Sequence, residues 1–92
     1  MARPKKPRRL CTQTKYSCFK PNGIPMGELD QIELLRDELE ALRLCDQDGM
    51  SQVEAAKQMQ VSRQTFGNIV KTARLKVATS IVKGQALFIQ KL

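Results

Sequence analysis

Residues 51–82 have the pattern of two helices joined by one tight turn, and this pattern limits the fold more than any other part of the chain. A helix-turn-helix unit needs small or apolar side chains at fixed places in both helices and directly after the turn. Small Ala56 stands where the two backbones must pass closely. The five apolar places are filled by Ala55, Met59, Val61, Phe66 and Ile69. The segment therefore predicts a helix-turn-helix; an ordinary α-hairpin in a small bundle is the alternative.

Local signals predict where these two helices begin and end. Ser51 and Ser62 each offer a side-chain oxygen to the unpaired N–H groups of a helix start, and Glu54 completes a capping box with Ser51. The second helix is predicted to run from Arg63 to about Lys83, with Gly84 as its stop. Its core face is predicted from an apolar stripe at helical spacing: Phe66, Ile69, Val70, Ala73, Val77 and Ile81.

A shorter helix is predicted upstream of this pair. Asp37 has the character of an N-cap with Glu40 three residues later, and Asp48-Gly49 would end the helix. Leu39, Leu42 and Cys45 would then share one face. The residues before it, 21–36, are turn-rich because they contain two prolines and two glycines. Within them ELDQIELL stays open as a helical turn, an extended segment or the start of a longer helix.

The fold class predicted from these elements is mainly α, in one small helical domain of 92 residues. Short β-like runs at residues 15–20 and 85–90 suggest a two-stranded pair, within one chain or across a dimer. The predicted organisation has four parts. They are a basic, extended and flexible arm (1–14), a turn-rich connection with a short strand (15–36), the helix-turn-helix domain (37–84) and a tail with a second short strand (85–92).

Charge is strongly segregated along the chain. Residues 1–20 contain seven basic and no acidic residues, residues 21–54 contain all nine acids and two basic residues, and residues 55–92 contain seven basic and no acidic residues. The net charge is +7. Two positive ends around a negative middle indicate one anion-facing side, and so a polyanionic partner.

Several function classes are not supported by the sequence. There is no histidine, no phosphate-cradling glycine loop and no nucleophile–base pair, so we expect no enzyme, cofactor or small-molecule substrate. Cys11, Cys18 and Cys45 lack the close pairs of a zinc site and are expected to be reduced thiols, with Cys45 in the core. Because no apolar run reaches the ~20 residues of a membrane span, we expect a cytoplasmic protein, nucleoid-associated when it binds DNA.

The exposed face of the second helix carries side chains that suit duplex DNA. Base contacts are predicted for Arg63, Gln64, Thr65 and Asn68. Arginine can fork onto guanine, glutamine and asparagine can pair with adenine, and the threonine methyl can touch thymine. Phosphate contacts are predicted for Ser62, Gly67, Lys71 and Arg74. The basic arm would follow phosphates or enter the minor groove through Arg3, Lys5, Lys6, Arg8 and Arg9.

The chain also resembles a known family in four motifs that occur in order. These motifs are RPKKPRR, FKPNGIP, DELEALRL and SQVEAAKQMQVSRQTFGNIV. Together they resemble domain-of-unknown-function family 134, a prokaryotic family expected to bind DNA. The last motif is also similar to region four of sigma factors, a promoter-reading module. The resemblance implies that the four base-contacting residues named above face DNA.

Two positions depart from the sigma pattern. Gln60 stands in the turn where related units usually have glycine, and a left-handed backbone there would cost roughly 1–2 kcal/mol. Asn68 stands where an arginine is expected in many relatives, which changes the base that this position would prefer. The function predicted from residues and resemblance together is sequence-specific binding of double-stranded DNA by a transcriptional regulator.

Two other functions stay open at this level. One is a sigma-like interaction module that docks on RNA polymerase through the acidic segment between Glu28 and Glu54. The other is RNA binding through the basic arm, although no aromatic-rich sheet for base stacking is evident. A homodimer is also open, since one unit contacts few base pairs and a second would add specificity.

Overall fold

The computed structural model describes residues 17–91, which form three helices and three short strands. Residues 1–14, the predicted basic arm with Arg3, Lys5, Lys6, Arg8 and Arg9, lie outside the described residues, as does Cys11. The helices are α1 (Arg36–Leu42), α2 (Gln52–Met59) and α3 (Arg63–Lys83), and the strands are β1 (Cys18–Phe19), β2 (Gln31–Leu34) and β3 (Ala86–Ile89). The fold is thus mainly helical with a small sheet, as the sequence predicted.

The sheet has the strand order β1-β3-β2. β1 pairs antiparallel with β3, with Cys18 opposite Phe88, which confirms the predicted pairing of the two β-like runs within one chain. β2 is a third strand that pairs parallel with β3, with Gln31 opposite Ala86. Of the three readings left open for ELDQIELL, the extended one is therefore correct for Gln31–Leu34. Before it, Met26–Glu28 forms a single 3₁₀ turn.

Helix α1 begins at Arg36, so the prediction that Asp37 caps it with Glu40 is wrong. The N–H of Leu35 donates to Glu38 Oε1 at 2.9 Å, and the N–H of Arg36 donates to Gln90 Oε1 at 2.9 Å. A side chain that follows β3 therefore satisfies part of the helix start. The sequence around α1 does not indicate this partner, because Gln90 lies 54 positions after Arg36.

Helix α1 continues directly into a π-helical segment, Arg43–Gln47. Asp48 caps this segment with its backbone N–H bonded to the carbonyl of Arg43, and Gly49 follows in the left-handed region at φ 75°. The predicted end at Asp48-Gly49 is confirmed. Such π-helical turns insert an extra residue and are often found at functional positions.

The α2–α3 pair follows the capping predicted from sequence. Ser51 Oγ accepts the N–H of Glu54 at 3.1 Å, and Glu54 Oε1 accepts the N–H of Ser51 at 3.2 Å. Ser62 Oγ accepts the N–H of Thr65 at 3.0 Å at the start of α3. Residues 60–62 connect the helices, and Gln60 takes the left-handed conformation with φ 60° and ψ 43°. Gly84 ends α3 in the same region.

Two apolar clusters form the core. The first joins α1, α2 and α3 through Ala41, Leu44, Ala55, Ala56, Phe66 and Val70, with Cys45, Met59, Val61 and Ile69 packed against it. The second lies between α3 and the sheet and contains Leu34, Ala73, Leu87 and Ile89, with Val77 at its edge. All five side chains expected to hold the α2–α3 pair together contribute to the first cluster.

The predicted core stripe of α3 is wrong at its last residue. Ile81 is 74% exposed, whereas Ser80 is 4% exposed and takes the inward position. Ser80 follows Ala73 by seven residues, and Ile81 lies a further 100° around the helix. The buried hydroxyl of Ser80 donates to the carbonyl of Val77 at 2.8 Å, so it needs no other partner.

Candidate functional site

One edge of α3 is exposed and carries no acidic residue. The side chains predicted to contact bases are all exposed within the first two turns of α3: Arg63, Gln64, Thr65 and Asn68. Phe66 and Val70, which are 0% and 1% exposed, fix the rotation of the helix about its axis. Because the buried and exposed positions alternate at helical spacing, packing of Phe66 presents its neighbours to solvent. The structure thus brings the four predicted residues together.

The first turn of α3 is ordered by hydrogen bonds between side chains. Ser62 Oγ donates to Thr65 Oγ1 at 2.9 Å while it accepts the N–H of the same threonine. The Thr65 hydroxyl then keeps its own hydrogen for a further acceptor. This arrangement holds Ser62 and Thr65 in fixed positions at the positively polarised end of the helix, where an anion is favoured.

Gly67 is half-buried rather than exposed as the sequence suggested. A Cβ atom at this position would stand 3.4 Å from Gln52 Oε1, at the start of α2. This distance is an ordinary van der Waals contact, so Gly67 lies beside the first turn of α2 and the space there would admit a Cβ atom. Gln52 was not identified from sequence, because no local pattern marks it as a neighbour of residue 67.

Arg74 is held by an acidic residue from outside its own helix. Its Nε donates to Asp46 Oδ2 at 3.1 Å and its Nη2 donates to Asp46 Oδ1 at 2.8 Å. Because of this hydrogen bonding the pKa of Asp46 lies below its usual value and that of Arg74 above. No sequence pattern marks Asp46 as the partner of Arg74, since the two lie 28 residues apart.

Part of the Arg74 guanidinium stays free to bind a further acceptor. The side facing Asp46 uses Nε–H and one hydrogen of Nη2, whereas guanidinium carries five N–H donors. The outer fork of Nη1 and Nη2 can still meet an oxyanion in a bidentate manner. Lys71, one turn earlier on the same helix, is exposed and forms no ion pair within residues 17–91.

Several acids of the middle segment are already paired within the fold. Arg43 binds Glu40 at 2.6 Å and Asp48 at 3.0 Å, and the Arg43 hydrogen bond lowers the pKa of Glu40. Lys76 binds the buried Glu38 at 2.8 Å. The remaining exposed acids with no ion pair within the described part of the chain are Glu28, Asp30, Glu33, Asp37 and Glu54.

Within residues 17–91 no three histidine, cysteine or acidic side chains are close enough together to bind a metal ion. Cys18 and Cys45 are free and half-buried. An open depression of about 420 Å³ lies beside α2 and is lined by Met50, Glu54, Lys57 and Gln58. None of the helices within residues 17–91 has the length and apolar composition to span a membrane.

Comparison with known proteins identifies relatives along the whole chain. A family model described as "Protein of unknown function DUF134" matches residues 1–91. A UPF0251 protein of Vibrio parahaemolyticus is 60% identical over 87 residues, covering 95% of this chain and 91% of that protein. UPF0251 proteins of Aeromonas salmonicida (54% over 90 residues, 98% and 88% covered) and Shewanella pealeana (52% over 92 residues, 100% and 96% covered) are similar as well. No solved structure matches.

Proposed function

This chain belongs to the DUF134 family of proteins of unknown function, and we propose that it binds double-stranded DNA in sequence-specific fashion as a transcriptional regulator. Family membership confirms the resemblance inferred from the four sequence motifs, while the likeness to sigma region four stays a prediction. The observation that carries the proposal is the exposed, acid-free edge of α3, which Phe66 and Val70 hold in a fixed rotation. In this role the protein works in the cytoplasm, on the nucleoid.

In the proposed complex the first turns of α3 enter the major groove, which is wide enough for one helix. A helix of 21 residues is about 30 Å long, so only its N-terminal part can lie in the groove. Arg63 would fork onto guanine, and Gln64 and Asn68 would each pair with adenine through one donor and one acceptor. Thr65 would contribute its methyl to thymine or its free hydroxyl hydrogen to a phosphate.

Phosphate contacts would fix the helix in the groove without reading sequence. Lys71 and the outer fork of Arg74 lie one to two turns beyond the base-reading residues, where the helix leaves the groove. Ser62 and Gly67 would contact the sugar–phosphate backbone of the DNA near the start of α3. The basic arm at residues 1–14 would add further phosphate or minor-groove contacts, as its composition indicates.

Selection of bound sequences from a random duplex pool, repeated over a range of salt, tests the proposal. We expect an enriched motif together with a salt slope near −0.9 for each phosphate contact. Arg63→Ala or Asn68→Ala should relax the motif, because a bidentate base contact discriminates by about 1–3 kcal/mol. Lys71→Ala should instead weaken every duplex and reduce the slope by about one unit.

Lys57→Ala is the matched control, because Lys57 is an exposed basic residue that lies on α2 and not on α3. It should change affinity less than Lys71→Ala and leave the motif intact. If Arg63→Ala and Lys71→Ala had the same uniform effect on all duplexes, the division into reading and positioning residues would be wrong. Failure of the intact protein to bind any duplex would remove the proposal itself.

A second function is favoured by one specific observation. Glu28, Asp30, Glu33 and Asp37 are exposed and form no ion pair within residues 17–91, so the middle segment presents a free acidic surface. In this alternative the chain docks on a basic surface of RNA polymerase. Binding to purified polymerase core that is lost when Glu33 and Asp37 are changed to Lys, without any duplex binding, would favour the alternative.

A further inference from the structure

The C-terminal half of α3 carries an apolar surface that the fold does not cover. Leu75, Ile81 and Val82 are 65%, 74% and 82% exposed, and exposed Ala78 lies between them. Residues 75, 78 and 82 are spaced by three and four positions, so they share one face of the helix, with Ile81 at its border. We call Leu75, Ala78, Ile81 and Val82 the α3 outer patch.

The α3 outer patch differs from the other exposed apolar side chains of the described residues. Phe19, Ile24 and Val53 are also exposed, but they lie in β1, in the loop that follows it and in α2. Single exposed apolar residues are ordinary, whereas a contiguous group at helical spacing is typical of an interaction surface. The small Ala78 at its centre would allow a second helix to approach at the 8–10 Å between axes that packed helices adopt.

The charged side chains that α3 itself places around the patch are all basic. Helix α3 has no acidic residue, Lys71 lies one turn before Leu75, and Lys83 follows Val82. Neither lysine forms an ion pair within the described residues, 17–91. The apolar surface therefore has a basic rim, and its complement is an apolar surface with an acidic rim.

We propose that the α3 outer patch docks an acidic amphipathic helix of a partner protein. A second copy of this chain is disfavoured as the occupant, because antiparallel packing centred on Ala78 would bring Lys83 of one copy near Lys71 of the other. A membrane surface is also disfavoured, because only about two turns of a helix fixed in the fold are apolar on this side. The proposal does not depend on DNA binding.

The test uses a fluorescent synthetic helix of about 18 residues, ~27 Å long, with leucine at every third or fourth position and glutamate at the flanking positions. A second peptide has lysine in place of each glutamate. We expect the glutamate peptide to bind the intact protein by fluorescence anisotropy and the lysine peptide to bind at least roughly tenfold more weakly. Binding of both peptides with equal affinity, or of neither, would overturn the proposal.

Substitutions locate the binding surface. The double variant Leu75→Gln with Val82→Gln should weaken glutamate-peptide binding at least roughly tenfold, since both side chains lie within the proposed contact. Lys83→Glu should weaken it as well. Val53→Gln is the matched control, an apolar residue on α2 that is 49% exposed, and it should leave binding unchanged. An effect of Val53→Gln as large as that of the double variant would contradict the assignment.

Two further measurements separate the other occupants. A dimer detected by light scattering that the Leu75→Gln, Val82→Gln variant dissociates would identify a second copy on the patch. Sedimentation with phosphatidylglycerol vesicles that the same variant abolishes would identify a membrane surface. Either result would overturn the proposed partner helix. We expect a monomer by light scattering and no sedimentation with the vesicles.

Discussion

Asp46 and Arg74 are joined at two points, with Nε to Oδ2 at 3.1 Å and Nη2 to Oδ1 at 2.8 Å, although they lie 28 residues apart. Asp46 belongs to the π-helical segment and Arg74 to α3, so the pair connects these two elements at the protein surface. Both side chains are about half exposed. Such a pair adds little to stability, about 0–1 kcal/mol. Its consequence is the fixed orientation of a guanidinium on the proposed DNA-binding edge.

The first prediction is that Asp46→Ala weakens duplex binding although it removes a negative charge and so raises the net charge by one. Without Asp46 the Arg74 side chain must be immobilised on binding, which costs about 0.5–1.5 kcal/mol, or roughly two- to twelvefold in affinity. Asp48→Ala adds the same charge without touching Arg74 and should leave affinity unchanged or slightly higher. Fluorescence anisotropy with one selected duplex measures both. Tighter binding by Asp46→Ala than by Asp48→Ala would show that Asp46 only repels phosphates.

The second prediction concerns acid titration of the same pair. Hydrogen bonding by Arg74 lowers the pKa of Asp46 in the folded protein. In the unfolded chain an aspartate has a pKa of about 3.9. On acidification the Asp46 carboxylate therefore stays charged to a lower pH in the folded protein than in the unfolded chain. The small stability that the pair contributes is therefore complete above about pH 5 and is lost as pH falls through the lowered pKa. Carboxyl ¹³C NMR should place the Asp46 midpoint below the usual value. In Arg74→Gln the midpoint should rise; no difference between the two proteins would contradict the assigned cause.

The third prediction concerns the turn between α2 and α3. Gln60 has φ 60° and ψ 43°, a conformation that costs a residue with a side chain about 1–2 kcal/mol. Glycine avoids this strain but loses more entropy on folding, so Gln60→Gly should raise the free energy of unfolding by about 0.5–1 kcal/mol. Urea denaturation measures the change. Gln60→Ala keeps the strain and should lie near the unchanged protein; equal stabilisation by alanine would locate the effect in the side chain instead.

The fourth prediction concerns the buried Glu38. It is 5% exposed and accepts hydrogen bonds from the N–H of Leu35 and from Lys76 Nζ, at 2.9 and 2.8 Å. Glu38→Ala would leave both donors without this acceptor and should lower the free energy of unfolding by about 2–3 kcal/mol. Glu40→Ala removes an exposed partner of Arg43 from the same helix and should cost less than about 1 kcal/mol. Equal losses would mean that burial of Glu38 has no energetic consequence.

A double-mutant cycle separates the ion pair from helix capping. Lys76 also donates to the carbonyl of Glu33 at 2.9 Å, so Lys76→Met alone leaves that carbonyl and the Glu38 carboxylate without the ammonium. When Glu38→Ala is combined with Lys76→Met, the loss should be smaller than the sum of the single losses. Additive losses would show that the two side chains act independently.

The parts of the fold that sequence predicted are those set by neighbouring residues. Ser51 with Glu54, Ser62 and Gly84 each fix a helix end within one turn, so α2 and α3 were placed correctly. The start of α1 was misplaced because its partner, Gln90, is supplied from beyond β3. The assignment of β2 stayed open for a related reason: Gln31 pairs with Ala86, and a strand that needs such a distant neighbour has no local signature.

The candidate site was predictable to a similar extent. Helical spacing alone indicated that Arg63 and Asn68 are exposed while Phe66 is buried. It could not show that Asp46 holds Arg74, or that Gly67 faces Gln52, because both relationships cross between elements. The prediction for Ile81 is wrong because hydropathy favours isoleucine over serine for the core, whereas Ser80, seven residues after the fully buried Ala73, takes the inward position.

The central position of β3 in the sheet has a consequence for synthesis on the ribosome. All three helices leave the exit tunnel before Ala86–Ile89, yet β1 and β2 can only pair through this strand. Leu34 and Ala73 therefore stay exposed to solvent until Leu87 and Ile89 have been added to the chain and complete the second cluster. The helices therefore emerge before the sheet can form, and the sheet half is completed only after Ala86–Ile89 has followed them.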